Sequence, residues 1–322
     1  MRVGGPIPVR AQVGRSHSQM ITLFSGPKPF ADHIGLIQDN AIASWTKLGA
    51  GVEVLLLGDE TGIAEAAARH GVRHLPDIQR TTAGTPRLDA MFAAARKAAT
   101  HPLLCYVNTD VILLPDLLVR AQAAAARFTS FLLVGQRWDL DLRQPLVLDE
   151  SWEQRLRLDV RTRGRRHPPG GSDYFVFPKD LFDDMPALAL GRAGWDNWMI
   201  YHARRRSWPV IDASQTVTVI HQDHDYAHLP GGRPHYRHPE SDKNLELAGG
   251  RPAIFTLADS DWVDDEVGLR RRPLRLRDLP RRIEAGVYLT LGPGNAARRA
   301  RLLMHPVETL AYYLRQMLRR AK

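Results

Sequence analysis

Two rhythms of apolar residues run through the first two thirds of the chain. Ile21-Thr22-Leu23-Phe24 is a short apolar run closed by Ser25-Gly26-Pro27, which predicts a buried strand and a turn; the ordered part of the chain is expected to begin at Gln19. From Asp32 to Leu48 the apolar positions Ile34, Ile37, Ala41, Trp45 and Leu48 recur at helical spacing. Val52 to Leu57 predicts a second strand, ended by Gly58-Asp59. An Ala-rich helix then spans Gly62 to His70, followed by a short segment from Val72 to Leu75 and a second Ala-rich helix from Pro86 to Ala99. Leu103 to Val107 reads as a third buried strand, Pro115 to Arg127 as a helix, and Phe131 to Gly135 as a further apolar run. Regularity fades from Arg137 to Arg166, where charge dominates, and returns at Tyr174-Phe175-Val176-Phe177-Pro178. A helical stretch from Met199 to Arg205 and a strand over Val217 to Ile220 complete the pattern.

Strands that alternate with helices predict an α/β fold with a mixed, mainly parallel sheet flanked by helices and right-handed crossovers. In such sheets ligands bind beyond the carboxyl ends of the strands, here Ser25-Gly26, Asp59 and Asn108-Thr109-Asp110.

With 322 residues, 44% of them apolar, the chain can bury a sizeable core in one or two domains. Its formal charge of +9 is uneven: residues 268–322 hold 14 Lys or Arg against 3 Asp or Glu, leaving 30 bases against 32 acids for residues 1–267. We therefore divide the chain into a loose leader over 1–18, a catalytic domain over 19–265 and a basic, partly helical extension over 266–322. Such an asymmetry points to a polyanionic neighbour or to a solvated Arg-rich face. Within the extension, Leu302, Leu303, Met304, Val307, Leu310, Tyr313, Leu314 and Met317 lie beside Arg298, Arg299, Arg301, Arg315, Arg319 and Arg320. That pattern fits either a helix packed on the main domain or one lying on an anionic membrane. The single cysteine, Cys105, excludes an intrachain disulfide framework and a cysteine-based zinc site. No apolar stretch of about 18 residues or signal-like segment is read, so the expected location is cytoplasmic, with contact at the inner face of the membrane left open.

Four clusters carry candidate chemistry. Asn108-Thr109-Asp110 follows a buried strand directly; a carboxylate there is costly to desolvate unless a divalent cation or a similar partner sits beside it, although an Asp that only caps a turn has the same pattern. Pro169-Gly170-Gly171-Ser172-Asp173 precedes a strand, and its glycines allow close backbone approach to a ligand with Asp173 beside it; a plain turn is the alternative. Asp196 lies between Trp195 and Trp198 at a helix start, where apolar walls raise a carboxyl and the helix dipole opposes the rise, so it serves either as a general base or as a cap. His221 follows a strand and opens the run Gln222-Asp223-His224-Asp225-Tyr226-Ala227-His228; imidazole at a strand end completes a cation's ligand set or binds a phosphate oxygen. No strict H-E-x-x-H spacing is present.

Taken in order, these clusters resemble the GT-A glycosyltransferases, nucleotide-diphospho-sugar enzymes with a D-x-D motif, a glycine-rich loop, an acidic motif and a C-terminal His. The resemblance spans about Gln19 to His228. It implies a GT-A-like fold, a nucleotide-sugar donor, a glycan or lipid-linked acceptor, and Mg2+ or Mn2+ held by Asp110 and His221. It further implies donor contacts from Ser25, Gly26, Asp59, Arg87, Asp89, Asn108, Thr109, Asp110, Gly171 and Asp173, an inverting reaction with Asp196 as general base, and acceptor stacking on Trp195 or Trp198. Two departures stand out: Asn108 replaces the first Asp of the D-x-D motif, and Asn197 replaces an acidic neighbour of Asp196. Rival readings are a sugar-phosphate nucleotidyltransferase, for which the loop Ser25-Gly26-Pro27-Lys28 offers little, and a nucleic-acid-binding protein built on the basic extension, which leaves the four clusters unexplained.

Overall fold

A computed structural model describes residues 21–224, 238–307 and 317. The leader and the Gln19 boundary, the part of the His221 run beyond His224, and Leu310, Tyr313, Leu314, Arg315, Arg319 and Arg320 of the extension lie outside the described residues.

The strands and helices, in chain order, are β1 (Ile21–Ser25), α1 (Asp32–Thr46), β2 (Val52–Leu57), α2 (Ile63–His70), β3 (Arg73–Leu75), α3 (Leu88–Ala98), β4 (Leu103–Val107), β5 (Val111–Leu113), α4 (Asp116–Arg127), β6 (Leu132–Val134), β7 (Trp138–Leu140), α5 (Trp152–Arg163), β8 (Arg165–Arg166), β9 (Tyr174–Pro178), α6 (Trp195–Arg205), β10 (Val210–Asp212), β11 (Val219–Gln222), α7 (Pro239–Leu247), β12 (Trp262–Asp265), β13 (Gly268–Arg271), α8 (Leu279–Leu291) and α9 (Asn295–Met304). The main sheet has the order β13-β12-β10-β6-β9-β4-β1-β2-β3, and a second sheet the order β5-β11-β7-β8. In the main sheet β9 runs antiparallel to both β4 and β6, β13 runs antiparallel to β12, and the remaining pairs are parallel. This is the mixed, mainly parallel α/β architecture that the alternating pattern predicts.

The strands of a sheet covered on both faces split their side chains between two cores, because successive residues point to opposite sides. Phe24, Leu55, Leu57, Leu104 and Tyr106 join one core with Phe92 of α3 and Met199 of α6. Ile21, Leu23, Val54, Leu56 and Cys105 join the other with Trp45 of α1 and Leu117 of α4. A third, smaller core lies under the second sheet, where Ile112, Leu140 and Ile220 meet Leu156 and Val160 of α5.

The charged stretch 137–166 differs from its expected irregularity, since it supplies β7, α5 and β8. A period-two signal was present in Trp138-Asp139-Leu140-Asp141-Leu142, whose apolar members turn inward. The division expected after Asp265 falls inside the β12–β13 hairpin, where Asp265 pairs with Gly268. β13 is an edge strand of the main sheet, and Tyr288 of α8 is fully buried in the core that holds Phe24 and Phe92. β13, α8 and α9 are thus joined to the main domain, through the hairpin and through Ala285, Tyr288 and Ala297.

Candidate active site

Strand direction brings the candidate residues to one rim. β1 and β4 are parallel and end side by side at Ser25 and Val107, so Asn108, Thr109 and Asp110 emerge next to Ser25. β9 runs the other way and pairs Tyr174 with Val107, which sets Asp173, just before β9, at the same rim. Asn108 N–H donates to the Asp173 carbonyl at 2.9 Å. β6 runs antiparallel to β9 and hence points the same way as β4, so the chain leaving Val134 carries Arg137 to this rim as well.

Asp110 immediately precedes β5, and the second sheet aligns the rest. His221 on β11 faces Val111 in the β5 register and Asp139 in the β7 register. Buried Gln222 fixes that register: its backbone N–H donates to the Asp110 carbonyl at 3.0 Å, its side-chain amide donates to the Ile37 carbonyl at 2.7 Å, and its Oε1 accepts from Asn40 at 3.0 Å.

The Asp110 carboxylate is buried, with Oδ2 at 3.3 Å from Lys28 Nζ, 3.2 Å from His224 Nε2 and 4.0 Å from His221 Nε2. Its Oδ1 is buried without a hydrogen-bond partner among the described residues. Burial pushes this carboxyl up, but the Lys28 charge, the His224 hydrogen bond and the two imidazoles outweigh it and hold the group well below the usual carboxylate range. Lys28 is fixed from behind, since its N–H donates to Gln38 Oε1 at 2.7 Å and its carbonyl accepts from Gln38 Nε2 at 2.9 Å.

A chain of polar contacts leads away from His221. Its Nδ1 stands 3.5 Å from Asp139 Oδ1, and Asp139 also takes His167 Nδ1 at 3.0 Å and Arg137 Nε at 2.8 Å. Burial opposes ionisation of Asp139, yet His221, His167 and Arg137 hold it below its ordinary range. Arg137 Nη1 then reaches the buried Asp173 carboxylate at 2.7 Å, and Asn108 Nδ2 donates to Asp173 Oδ1 at 2.8 Å. The other end of Asn108 accepts from the Tyr106 hydroxyl at 2.9 Å. Its amide is therefore occupied in holding the rim.

Asp196 completes the row. Gly194 caps α6 with φ of 100°, a left-handed conformation that favours glycine, and Trp195 then packs edge-on against Tyr106 (4.9 Å) and Phe175 (5.4 Å). This anchor sets the Asp196 carboxylate beside Asp173 and the Ser172 N–H. Its surroundings push it up to about 6: desolvation is the largest cause, the Asp173 charge adds to it, and backbone N–H groups of Asn197, Asp196 and Ser172 oppose it.

Other expected residues sit differently. Ser25 is fully buried and shares a 2.6 Å hydrogen bond with the Thr109 hydroxyl, so the pair ties β1 to β4 and presents no side chain to a ligand. Gly26 lies against packed side chains, and a Cβ there would make the ends of Leu190 and Met91, at 2.7 Å, shift aside. Asp59 is an exposed carboxylate paired with Arg80, while Arg87 and Asp89 pair with each other at the first turn of α3. Gly171 lies next to His167. Trp195 and Trp198 are each only 5% exposed, and Trp198 stacks on His202 at 4.5 Å within the core. The expected acceptor platform is corrected accordingly: neither indole offers an open face.

The pattern reading missed Lys28, Arg137, Asp139 and His224 as members of this cluster. Asp139 was legible in the alternation of 138–142; Lys28 and His224 stand on loops, where no periodicity speaks for them.

The donor set fits a divalent cation. Asp110, His221 and His224 each offer a ligand atom, and these lie within 4.8 Å of one another; Asp139, His221 and Asp223 form a second such group. A buried carboxylate oxygen with no partner, next to two imidazoles, is what an incoming cation would satisfy.

No protein-family model and no curated protein matches this chain. Solved structures do. Among them is a mannosyltransferase from Pyrobaculum calidifontis in complex with GDP-Man and Mn2+, 13% identical, with a TM-score of 0.47 over 94% of this chain and 80% of that one. Another is glucosyl-3-phosphoglycerate synthase from Mycobacterium tuberculosis in complex with Mg2+ and UDP, 13% identical, with a TM-score of 0.45 over 72% of this chain and 80% of that one. TarS from S. aureus is 13% identical with a TM-score of 0.43; the match takes in 63% of this chain and 37% of that one.

Proposed function

We propose that this protein is a GT-A-like glycosyltransferase that moves a sugar from a nucleotide-sugar donor to an acceptor hydroxyl with inversion. The observation that carries the reading is the single row of groups along one sheet rim: Lys28, Asp110, His224 and His221 at one end, Asp139, Arg137 and Asp173 between, and Asp196 at the other. One end is suited to hold a diphosphate through a cation. The other end carries a carboxyl poised near neutrality, as a general base requires.

Asp110, His221 and His224 would hold the cation, which would neutralise charge on the departing nucleotide diphosphate. One carboxylate with two imidazoles suits Mn2+ better than Mg2+, which prefers oxygen ligands. Asp196 would take the proton of the acceptor hydroxyl as its oxygen attacks the anomeric carbon, and Asp173, clamped by Arg137 and Asn108, would present a fixed acceptor oxygen to sugar hydroxyls. Within this reading Asp59, Arg87, Asp89 and Gly171 remain candidate donor contacts.

A second reading of the phosphate end is favoured by the 3.3 Å contact between Lys28 and Asp110: the ammonium itself supplies the positive charge. The test is a screen of UDP-, GDP- and dTDP-sugars by thermal shift, with Mn2+ and with chelator, followed by nucleotide release with the stabilising donor. We expect one donor class to stabilise the protein only with Mn2+, and Asp110→Ala to abolish that effect. Stabilisation that survives chelation and is lost in Lys28→Met supports the second reading. No stabilisation by any donor overturns the transferase assignment.

A further inference from the structure

A surface helix ordinarily turns charged and polar residues to water and apolar ones to the core. α8 does the opposite on its outer side. Its exposed residues are Leu279, Pro280, Ile283, Gly286, Thr290 and Leu291, and none is charged. Ile283, at the centre of this face, is 60% exposed.

Two of the three charged residues of α8, Arg281 and Glu284, are used inward, and the third, Arg282, is half-buried beside the outer face. Arg281 donates to Asp259 Oδ1 at 2.8 Å and to the Ile254 carbonyl at 3.1 Å, and its guanidinium lies over the Phe255 ring at 5.2 Å. Glu284 accepts from Arg281 at 3.0 Å and from the Tyr288 hydroxyl at 2.9 Å. Ala285 and Tyr288 fasten the inner face into the core. The helix is held rigidly with an uncharged side outward, over about 20 Å at ~1.5 Å per residue.

Basic residues flank this face. Before α8 the chain runs Leu274-Arg275-Leu276-Arg277, all exposed, with Leu276 at 90%. After it, Arg298 and Arg299 are exposed on α9, as is Leu303. An uncharged helix face, protruding leucines and flanking guanidiniums together match the two components of an anionic bilayer surface: acyl chains for Leu276 and Ile283, headgroup charges for the arginines. Among the described residues no helix is long and apolar enough to cross a membrane, so any membrane contact through α8 would lie along the surface.

We propose that α8 and the preceding segment 274–277 form a docking face for an anionic lipid bilayer. The proposal is independent of the transferase reading, because its test reads vesicle binding and not turnover. The full-length protein is sedimented with vesicles of phosphatidylcholine alone and with phosphatidylglycerol added. We expect binding to the anionic vesicles only, weakened by salt. It should fall by at least about tenfold in Ile283→Glu and in the Arg275→Glu/Arg277→Glu double variant, with unchanged circular dichroism, since these side chains are exposed. Absence of binding to anionic vesicles overturns the proposal, as does binding that Ile283→Glu leaves intact. A dimer that Ile283→Glu dissolves, without vesicle binding, overturns it in favour of a second copy on this face. Salt-sensitive RNA binding without vesicle binding overturns it in favour of a nucleic acid.

Discussion

His221 and Asp139 stand opposite each other in the parallel register of β11 and β7, with imidazole Nδ1 3.5 Å from the carboxylate. The other ring nitrogen of His221 is the one turned toward Asp110. A carboxylate behind a ligating imidazole fixes its tautomer and raises its basicity. Asp139→Asn is expected to weaken Mn2+ binding by about 10–100-fold while leaving the fold intact. Calorimetric titration of Mn2+ into the variant checks this; unchanged affinity would remove Asp139 from the cation site.

With Asp196 as the proposed base, this residue should govern the acid side of the pH profile. A base at about 6 must be deprotonated to act, so kcat should rise tenfold per pH unit below 6 and level off above it. Asp196→Asn should abolish nucleotide release at every pH. A variant that turns over as fast as the wild type would exclude Asp196 as the base.

The same shift carries a stability consequence of definite sign. Because the folded-state value lies above the ordinary 3.8, the folded protein holds the proton more tightly than the unfolded chain. This contribution is full below about 3.8 and is lost as pH rises through 6, leaving a half-buried charge that costs up to ~3 kcal/mol at neutrality. Asp196→Asn should therefore raise Tm at pH 7 to 8 and lose that advantage below pH 4. Thermal unfolding across this range reads it directly.

Trp198 tests core against surface. With its indole stacked on His202 inside the core, Trp198→Ala should destabilise the protein by about 3–5 kcal/mol in urea unfolding. At a temperature where the variant is still folded, KM for the acceptor should be unchanged.

Much of this was readable from residue order. β1, β2, β4 and β9 were found within a residue or so because each is a run of apolar residues bounded by Gly, Pro, Asn or Asp. Asp110, Asp173 and His221 were singled out because they follow or precede such runs, and strand direction then sets where they emerge; Asp196 was singled out between two tryptophans at a helix start, which is where α6 begins. The tryptophans misled because an aromatic beside a carboxylate reads alike whether it faces a sugar or anchors a helix; here Trp195 does the anchoring. The strand over Val217 to Ile220 was read and overlaps β11, but the second sheet as a whole was not legible, for another reason. Its strands are two to four residues long and are defined by partners far away in the chain, as His221 is by Asp139 and Val111.

The β12–β13 hairpin has a practical consequence for anyone handling this protein. Ending the chain at Asp265 would strip β12 of its outer neighbour and open a row of backbone groups to pairing with other molecules. It would also remove Tyr288 and leave a void beneath α6. A shortened product of this kind should precipitate, so the arginine-rich end is to be studied by single substitutions in the intact polypeptide.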